Sequence, residues 1–471
     1  MDPTRLVRSS ARPARSLRLG WRVVIAMTCI QLLLLLVKSS QAAGTSSTLQ
    51  EEVAPSSRRL QAYRDSTNVA RHGPASESFQ LSDGSWVDCV PIEQQIAAHE
   101  PNLQDHTIRM QPSSQILMNN IFLPQIDNVS DEQQQLPQHP QLFAREHGGC
   151  REGFIPVQRS DPNQQLFRKH QGPAADRGMT STTSMKNPTS ASNGPAHDYA
   201  VVAVPSKTGG YTGQGGVLSV NGPYIGEPSS EFSLSQLWTV AGSYQLEDLN
   251  TAEVGWQVYP ALHPSQQPLA PHLFIYWTRD AYLSTGCYNL NCPGFVQVNS
   301  TWVLGGALAP YTTLAQKAKF EYEFSIFIVF DSATPGWWLL IQGTWVGYWP
   351  SSIYTTLKAG RADDLEWGGE IAPASTTPTT TGMGSGAFAS AGYPVAAYQR
   401  NVSYGDAASG NWYSASFTGE AVTNTNCYTV GIQQGGYTNW GSYFFFGGPG
   451  ALNNPACANT LLEPENLEAF Y

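Results

Sequence analysis

Alternation of apolar and polar side chains restricts the fold of this chain more than any other feature. After residue 197 the sequence is a succession of aromatic and β-branched runs broken by Gly, Pro and Asn, with hardly any helical periodicity. Roughly ten or more strands in such a length are typical of two antiparallel sheets packed face to face. We therefore predict an all-β fold, a jelly-roll-like antiparallel β-sandwich. The clearest alternating run contains Phe320, Tyr322, Phe324, Ile326, Ile328 and Phe330.

The N-terminal region has the order of a secretory signal peptide. Arginines up to Arg22 precede an apolar run from Val23 to Val37, and the small residues Ala42 and Ala43 follow. The run is shorter than the ~20 residues that a membrane-spanning helix needs, so cleavage is favoured over a membrane anchor. We expect a secreted protein, extracellular in the apoplast or held in the vacuole, with no membrane attachment after cleavage.

Changes in composition predict the domain boundaries. Residues 44–79 are polar and lack periodicity, and residues 159–196 have the Ser, Thr, Asn and Pro content of an exposed linker. Hydrophobic content recovers between them, which predicts a small disulfide-stapled domain. The predicted organisation is a signal peptide at 1–43, a flexible leader at 44–79, a small N-terminal pro-domain at 80–158, a linker at 159–196 and the β-sandwich domain at 197–471.

Six cysteines remain once Cys29 has left with the signal peptide. An even number of cysteines in a secreted chain predicts three disulfides. Separately, we expect the protein to be a monomer. Three sequons are candidate glycosylation sites, at Asn128, Asn299 and Asn401. Grouping along the chain favours the pairs Cys89–Cys150, Cys287–Cys292 and Cys427–Cys457.

The charge of the processed chain excludes one class of partner. Removing residues 1–43 takes away seven of the 26 basic and one of the 36 acidic side chains, so the formal charge falls from −10 to −16. Nucleic acid is therefore not expected as a partner. An acidic surface suits a protein that works at low pH, because partial protonation of its carboxyls relieves their repulsion.

Histidine is scarce in the large domain, and this limits the chemistry available. Only His197, His263 and His272 are present there, without a His-Glu-x-x-His pair, so we expect no zinc site, no other metal site and no cofactor. The four cysteines of this domain are expected in disulfides, which leaves few candidates for a Ser-His-Asp or Cys-His mechanism. Carboxylates remain the candidate catalytic groups.

Two acidic stretches stand out among the strands. In residues 251–260, strand alternation places Glu253 and Gln257 on one face and Trp256 on the other. In residues 365–370, Glu366 and Glu370 share a face with a glycine between them, which would let a ligand backbone approach closely. The ordinary alternative is that these are strand glutamates facing solvent.

Two carboxyls that face one groove cannot both ionise easily, so one keeps a proton while the other acts as a base on water. Such a pair can hydrolyse peptides, but glycosidases use paired carboxylates too. The residues alone therefore leave a peptidase and a carbohydrate-active enzyme open, with a non-catalytic cell-wall or sugar-binding protein behind them. Candidates for the groove wall are Trp256, Gln257, Tyr276 and Trp367, with core packing as the alternative.

Several short motifs follow one another along the chain after the leader. Two lie in the predicted pro-domain, namely Asp88-Cys89-Val90-Pro91-Ile92 and His106-Thr107-Ile108. The others, in the large domain, are residues 231–238 and 253–260, Tyr276-Trp277-Thr278-Arg279-Asp280-Ala281-Tyr282, Gly286-Cys287-Tyr288-Asn289-Leu290, Val346-Gly347-Tyr348-Trp349-Pro350, Gly368-Gly369-Glu370 and Met383-Gly384-Ser385-Gly386. In this order the motifs resemble the neprosin family of plant glutamic peptidases, the first two its activation peptide and the others its catalytic domain. The resemblance covers nearly everything after the leader.

The resemblance implies a β-sandwich peptidase that is secreted as a zymogen and cleaves protein or peptide substrates, with a preference for cutting after proline. It implies that Glu253 and Glu370 activate water, since Gly-Gly-Glu is the part of the second stretch that resembles the family motif. It also implies that the chain's own pro-domain is its inhibitor. Acid would then weaken the hold of the pro-domain on the groove and expose the linker to cleavage.

Overall fold

The computed structural model describes residues 72–114, 139–160, 197–265, 267–313, 322–375, 378–433, 436–437 and 439–458. The predicted signal peptide, most of the predicted leader and linker, Asn128 and Phe320 lie outside the described residues. Asn299 and Asn401 are partly buried, and their glycosylation stays a prediction. None of the helices in the described part is long and apolar enough to cross a membrane.

Strands far outnumber helices in the described chain, as the apolar alternation predicts. The helices are α1 (Leu142–His147) and α2 (Pro455–Ala458), with 3-10 turns at Ile92–Gln94, Ile96–His99, Pro101–Leu103, Ser351–Ile353, Leu357–Ala359 and Ala389–Ala391. The strands are β1 (Glu77–Gln80), β2 (Trp86–Pro91), β3 (Phe154–Gln158), β4 (Asp198–Ala203), β5 (Tyr211–Ser219), β6 (Asn221–Gly222), β7 (Phe232–Ala241), β8 (Asn250–Val258), β9 (His272–Thr278), β10 (Val296–Gln297), β11 (Thr312–Thr313), β12 (Glu323–Asp331), β13 (Gly336–Ile341), β14 (Thr344–Pro350), β15 (Asp364–Ala372), β16 (Met383–Gly384), β17 (Ala397–Asp406), β18 (Trp412–Ser414), β19 (Gly419–Val422), β20 (Thr429–Gln433) and β21 (Tyr443–Gly448).

Two large antiparallel sheets form the sandwich, and the predicted fold class is confirmed. One sheet has six strands in the order β19-β4-β15-β7-β8-β9. The other has ten strands and follows the order β10-β14-β13-β12-β5-β17-β21-β16, with β18 beside β17 and β20 beside β21. Side-chain hydrogen bonds join the sheets, because Trp256 Nε1 donates to Ser219 O at 2.8 Å and Gln399 Nε2 donates to Ser235 Oγ at 3.0 Å.

One hydrophobic core fills the space between the two sheets. The six-stranded sheet contributes one face, on which Leu237, Val254 and Trp367 lie at matched positions of β7, β8 and β15. The ten-stranded sheet contributes side chains such as Phe327 and Phe446. Because the side chains of a strand alternate, the six-stranded sheet has a second face that points away from its partner sheet.

The pro-domain region shares this core, whereas the sequence predicts a small domain of its own. Its three-stranded sheet β1-β2-β3 contributes Val157, and the 3-10 turn after β2 contributes Ile92, to the cluster that also contains Trp302. Buried amides seal the contact: Gln95 exchanges two hydrogen bonds with the backbone of Gln297, at 3.0 and 2.8 Å. The hydrophobic pattern of the sequence shows that these side chains are buried, but it does not show which surface buries them.

The predicted leader contributes residues to this folded region. Strand β1 starts at Glu77, and His72 is buried with its ring nitrogen accepting a hydrogen bond from Ile96 N. The folded part therefore begins before the predicted boundary at residue 80. A four-residue edge strand with mostly exposed side chains carries no apolar alternation, so the sequence pattern could not reveal it.

The three predicted disulfide pairings are confirmed. They are Cys89–Cys150, Cys287–Cys292 and Cys427–Cys457. The first closes a long loop within the pro-domain region, between β2 and the segment that follows α1. The second fixes the short loop after β9, close to the acidic face described next.

Candidate active site

The outer face of the six-stranded sheet carries the candidate glutamates. Directly paired residues of antiparallel strands have side chains on the same face. Glu253 of β8 pairs with Trp238 of β7, and Trp238 pairs with Glu366 of β15. Glu370 lies four positions further along β15, in register with Leu234 of β7. The two predicted catalytic acids therefore share a face, and β7 runs between them.

Three side chains donate hydrogen bonds to Glu253, which is fully buried. Gln236 Nε2 donates to Oε2 at 3.0 Å. Thr251 Oγ1 and Tyr282 Oη donate to Oε1 at 2.8 and 2.5 Å. Burial and the neighbouring Glu253 carboxyl raise the pKa of the Tyr282 hydroxyl well above its usual range, so it stays protonated and remains a donor. These contacts fix the orientation of the Glu253 carboxyl.

A histidine and a tyrosine contact the carboxyl of Glu370, whereas an amide and two hydroxyls contact that of Glu253. His197 Nδ1 lies 2.6 Å from Glu370 Oε1, and Tyr199 Oη donates to the same oxygen at 3.4 Å. Glu370 is fully buried, and the side chain of His197 is only 11% exposed. The imidazole of His197 also packs edge-on against Phe232. His197 therefore covers this carboxyl.

A cluster of buried tyrosines connects the surroundings of the two acids. Tyr276 stacks on Tyr282, whose hydroxyl touches Glu253, and packs edge-on against Tyr288 with ring centroids 4.9 Å apart. Tyr288 Oη accepts a hydrogen bond from Gln257 Nε2 at 3.3 Å. Burial, with Tyr259 as the next cause, raises the pKa of the Tyr288 hydroxyl well above its usual range. The cluster is therefore neutral and largely apolar, which suits an acidic pair shielded from bulk water.

Two of the four predicted groove residues lie on this face and two do not. Gln257 and Tyr276 share the face of Glu253. Trp256 and Trp367 lie on the opposite face, in the core between the sheets, and are fully buried there. The prediction of these two tryptophans as groove residues is therefore wrong, and the physical reason is strand alternation, which places each beside a residue of the acidic face.

The glycines next to the acids are required by the sheet itself. Gly368 has φ +150, and a Cβ there would lie 2.3 Å from the carbonyl oxygen of Ala200 in β4. A Cβ on Gly255 would lie 2.0 Å from the carbonyl oxygen of Ser235 in β7. Close strand approach therefore explains both glycines, whereas for Gly368 the sequence suggested the approach of a ligand.

Sequence reasoning missed several residues of this site. His197 was considered only as a candidate for other chemistries, and Gln236 and Thr251 were not singled out. Tyr282 ends the quoted motif 276–282, which was the one available signal for it. The described residues contain no group of three or more His, Cys, Asp and Glu side chains that could hold a metal ion.

Comparison with known proteins gives two family matches. The family model described as Neprosin matches residues 229–449, and the model described as Neprosin activation peptide matches residues 78–203. Two crystal structures of scytalido-glutamic peptidase, one with a peptide-based transition-state analogue and one with a transition-state analogue inhibitor, are similar at 10% and 12% identity. Each match covers 54% of this chain and 97% of the other chain, with TM-scores of 0.27 and 0.26.

Proposed function

Because the chain belongs to the neprosin family and carries the activation peptide of that family, we propose that it is a secreted glutamic endopeptidase made as a zymogen. In this proposal it cleaves peptide bonds after proline at acidic pH, with Glu253 and Glu370 as the catalytic pair. The observation that carries the proposal is the burial of both carboxyls on one face of the sheet, each held by side-chain hydrogen bonds. Buried acids cost folding free energy and are concentrated at functional sites.

The chemistry requires one protonated and one ionised carboxyl. The ionised member takes a proton from water as the oxygen attacks the carbonyl carbon of the peptide bond, and the protonated member polarises the carbonyl oxygen. A proton then passes to the leaving amine as the C–N bond breaks. We assign no fixed acid and base, since a coupled pair titrates as a unit. The donors around Glu253 would keep its carboxyl aimed during both steps.

His197 supports the assignment of this state as the latent precursor. It is the first described residue after the predicted linker, and its imidazole lies on Glu370. Substrate cannot reach two fully buried carboxyls without movement of the covering residues. In the proposal, cleavage of the chain before or near His197 frees this segment and opens the acidic face.

We expect the acid-treated protein to cut peptides after proline. The test uses matched pairs of unstructured peptides that differ only by Pro or Ala at one position, from pH 2 to pH 7, with products identified by mass spectrometry. Cleavage after Pro at least ~10-fold faster than after Ala, and lost in the Glu370→Gln variant, is the expected result.

Other outcomes of the peptide experiment would revise the proposal. Cleavage with equal rates after Pro and Ala would retain the peptidase and remove the proline preference. If neither peptide is cut at any pH while the protein is correctly folded and its linker is cleaved, the peptidase proposal fails. Oligosaccharide substrates would then be the next to test.

Acid is expected to release the activation peptide after the linker has been cut. Burial lowers the pKa of His139, whose ring packs against Trp302 of the sandwich domain at a tilt, to about 4. Burial, followed by Arg109, also lowers the pKa of His106, whose Nε2 lies 2.7 Å from Tyr348 Oη. A histidine with a lowered pKa in the docked state favours docking above its free pKa of 6.5, and this preference is lost as the pH falls towards 4.

Size-exclusion chromatography of the cut protein between pH 7 and pH 3 measures this release. Both fragments are expected to elute together at pH 7 and separately in acid. His139→Phe keeps an aromatic ring on Trp302 without a titrating group, so it should move the release to lower pH. Release at the same pH in this variant would show that His139 does not contribute.

A further inference from the structure

A short turn after β9 carries Tyr282 and is built around one carboxylate. Asp280 accepts hydrogen bonds from Ser284 N and Thr285 N, and from the hydroxyls of Thr278, Ser284 and Thr285, at 2.5 to 3.1 Å. Burial alone would raise its pKa, but the hydrogen bonds from Ser284 and Thr285 lower the pKa of Asp280 to about 2. The turn therefore keeps its ionised anchor under acidic conditions.

The backbone of this turn adopts an uncommon conformation at two successive residues. Ala281 has φ 54 and Tyr282 has φ 65, both in the left-handed region, which is unfavourable for residues other than Gly. The surrounding contacts hold them there, since Tyr282 N donates to Thr278 Oγ1 at 3.1 Å and Ala281 N donates to Leu249 O at 3.0 Å. Strained residues of this kind are concentrated at functional sites.

In this geometry the buried hydroxyl of Tyr282 points at the buried carboxyl of Glu253. The ring of Tyr282 stacks against Tyr276 and Tyr244, with interplanar angles of 23° in both cases. Its hydroxyl meets Glu253 Oε1 at 2.5 Å, the shortest of the three contacts described above for that carboxyl.

We infer that Tyr282 is a positioning residue for Glu253: its hydroxyl fixes the orientation of the carboxyl and stabilises the ionised form of the pair that Glu253 makes with Glu370. This inference rests on the proposed function. The hydrogen bonds within the stretch 278–285 then have a role, since Asp280 holds the turn and the turn directs the tyrosine hydroxyl to Glu253. Misplacing a reacting group by about 1 Å can lower activity on the order of 10²-fold.

The test compares Tyr282→Phe with a matched control in the full-length chain after activation. Tyr282→Phe removes only the hydroxyl, and kcat is expected to fall about 10–100-fold while KM changes less than about 3-fold. The acid limb of the kcat–pH profile should move to higher pH, because a carboxyl that loses a donor is harder to ionise. The control is Tyr428→Phe, which removes a buried hydroxyl that donates to Thr381 O at 3.0 Å, and it should leave kcat and the profile unchanged.

Each outcome decides the inference. A Tyr282→Phe enzyme with the kcat and pH profile of the parent overturns it, and so does a rise in KM at unchanged kcat, which would indicate a role in substrate binding. If Tyr282→Phe is not secreted, Asp280→Ala is tested in its place. This change removes the hydrogen bonds that hold the turn but keeps the buried ring of Tyr282. A loss of kcat without a shifted profile in that variant also overturns the inference. An inactive parent chain would instead contradict the proposed function.

Discussion

Glu370→Gln is expected to lower kcat/KM by at least ~10³-fold, and Glu253→Gln should do the same. Glutamine keeps the shape of the side chain and can accept a hydrogen bond from His197 or Tyr282, but it can neither take a proton from water nor give one to the leaving amine. The double variant should be no worse than either single variant, because the two carboxyls act as a unit. Initial rates on a proline-containing peptide measure the effect.

Glu366→Gln is the matched control for this pair. Glu366 lies on the same strand and face as Glu370, is almost fully buried, and is in register with Glu253 across Trp238. It is expected to retain activity within about 10-fold of the parent. Full loss in Glu366→Gln with activity retained in Glu370→Gln would make Glu253 and Glu366 the catalytic pair.

The folded state of these variants should be unchanged or slightly more stable. Replacing a buried carboxyl by an amide removes a group that costs free energy to bury, and active-site changes of this kind often trade activity for stability. The melting temperature of the full-length variants, measured at neutral pH before activation, tests this. A lower melting temperature together with lost activity would indicate damage to the fold, and the loss could then not be assigned to chemistry.

Features with a local cause could be predicted from the sequence. The apolar alternation predicts the strands, and the same period of two places Glu253 and Gln257 on one face. The cysteines pair within their own groups along the chain, so grouping was enough. The prediction of Trp256 as a groove residue is wrong because it rests on the aromatic character of the side chain. Strand alternation in β8 places Trp256 in the core instead.

Features with a non-local cause could not be predicted. Nothing near His197 in sequence indicates that its ring meets Glu370, 173 positions away. The direction in which the Tyr282 hydroxyl points depends on left-handed φ angles at Ala281 and Tyr282. Residues other than Gly rarely adopt such angles, so the sequence does not predict them. The packing of the pro-domain region into the core of the sandwich also has a non-local cause. The apolar pattern around Ile92 or Val157 shows that these side chains are buried, but it does not show which residues bury them.

A chain that lacks residues 44–196, with its signal peptide retained, is expected to yield no folded protein. In the described structure Trp302 lies under His139, and Val303 belongs to a cluster whose other buried members, including Phe143 and Leu81, come from the activation-peptide region. Exposing a large apolar side chain costs about 1.5–3 kcal/mol, so a chain that must fold without this cover has little of the roughly 5–15 kcal/mol that stabilises a typical domain. A sandwich that loses the cover in acid after it has folded is instead kept folded by its barrier to unfolding. Yield of secreted protein and its melting temperature measure the effect.

The matched control has the same sequence but is cut only after folding. A full-length chain with a protease site placed within 161–196 should be secreted, and after cutting it should keep its fold at neutral pH, because Gln95 and Gln141 still bond the backbone of Gln297 and Val303. Residues 44–160 supplied as a separate chain during refolding should rescue the truncated protein. A truncated chain that is secreted with the melting temperature of the cut protein would instead show that the sandwich folds alone. The activation peptide would then serve latency only.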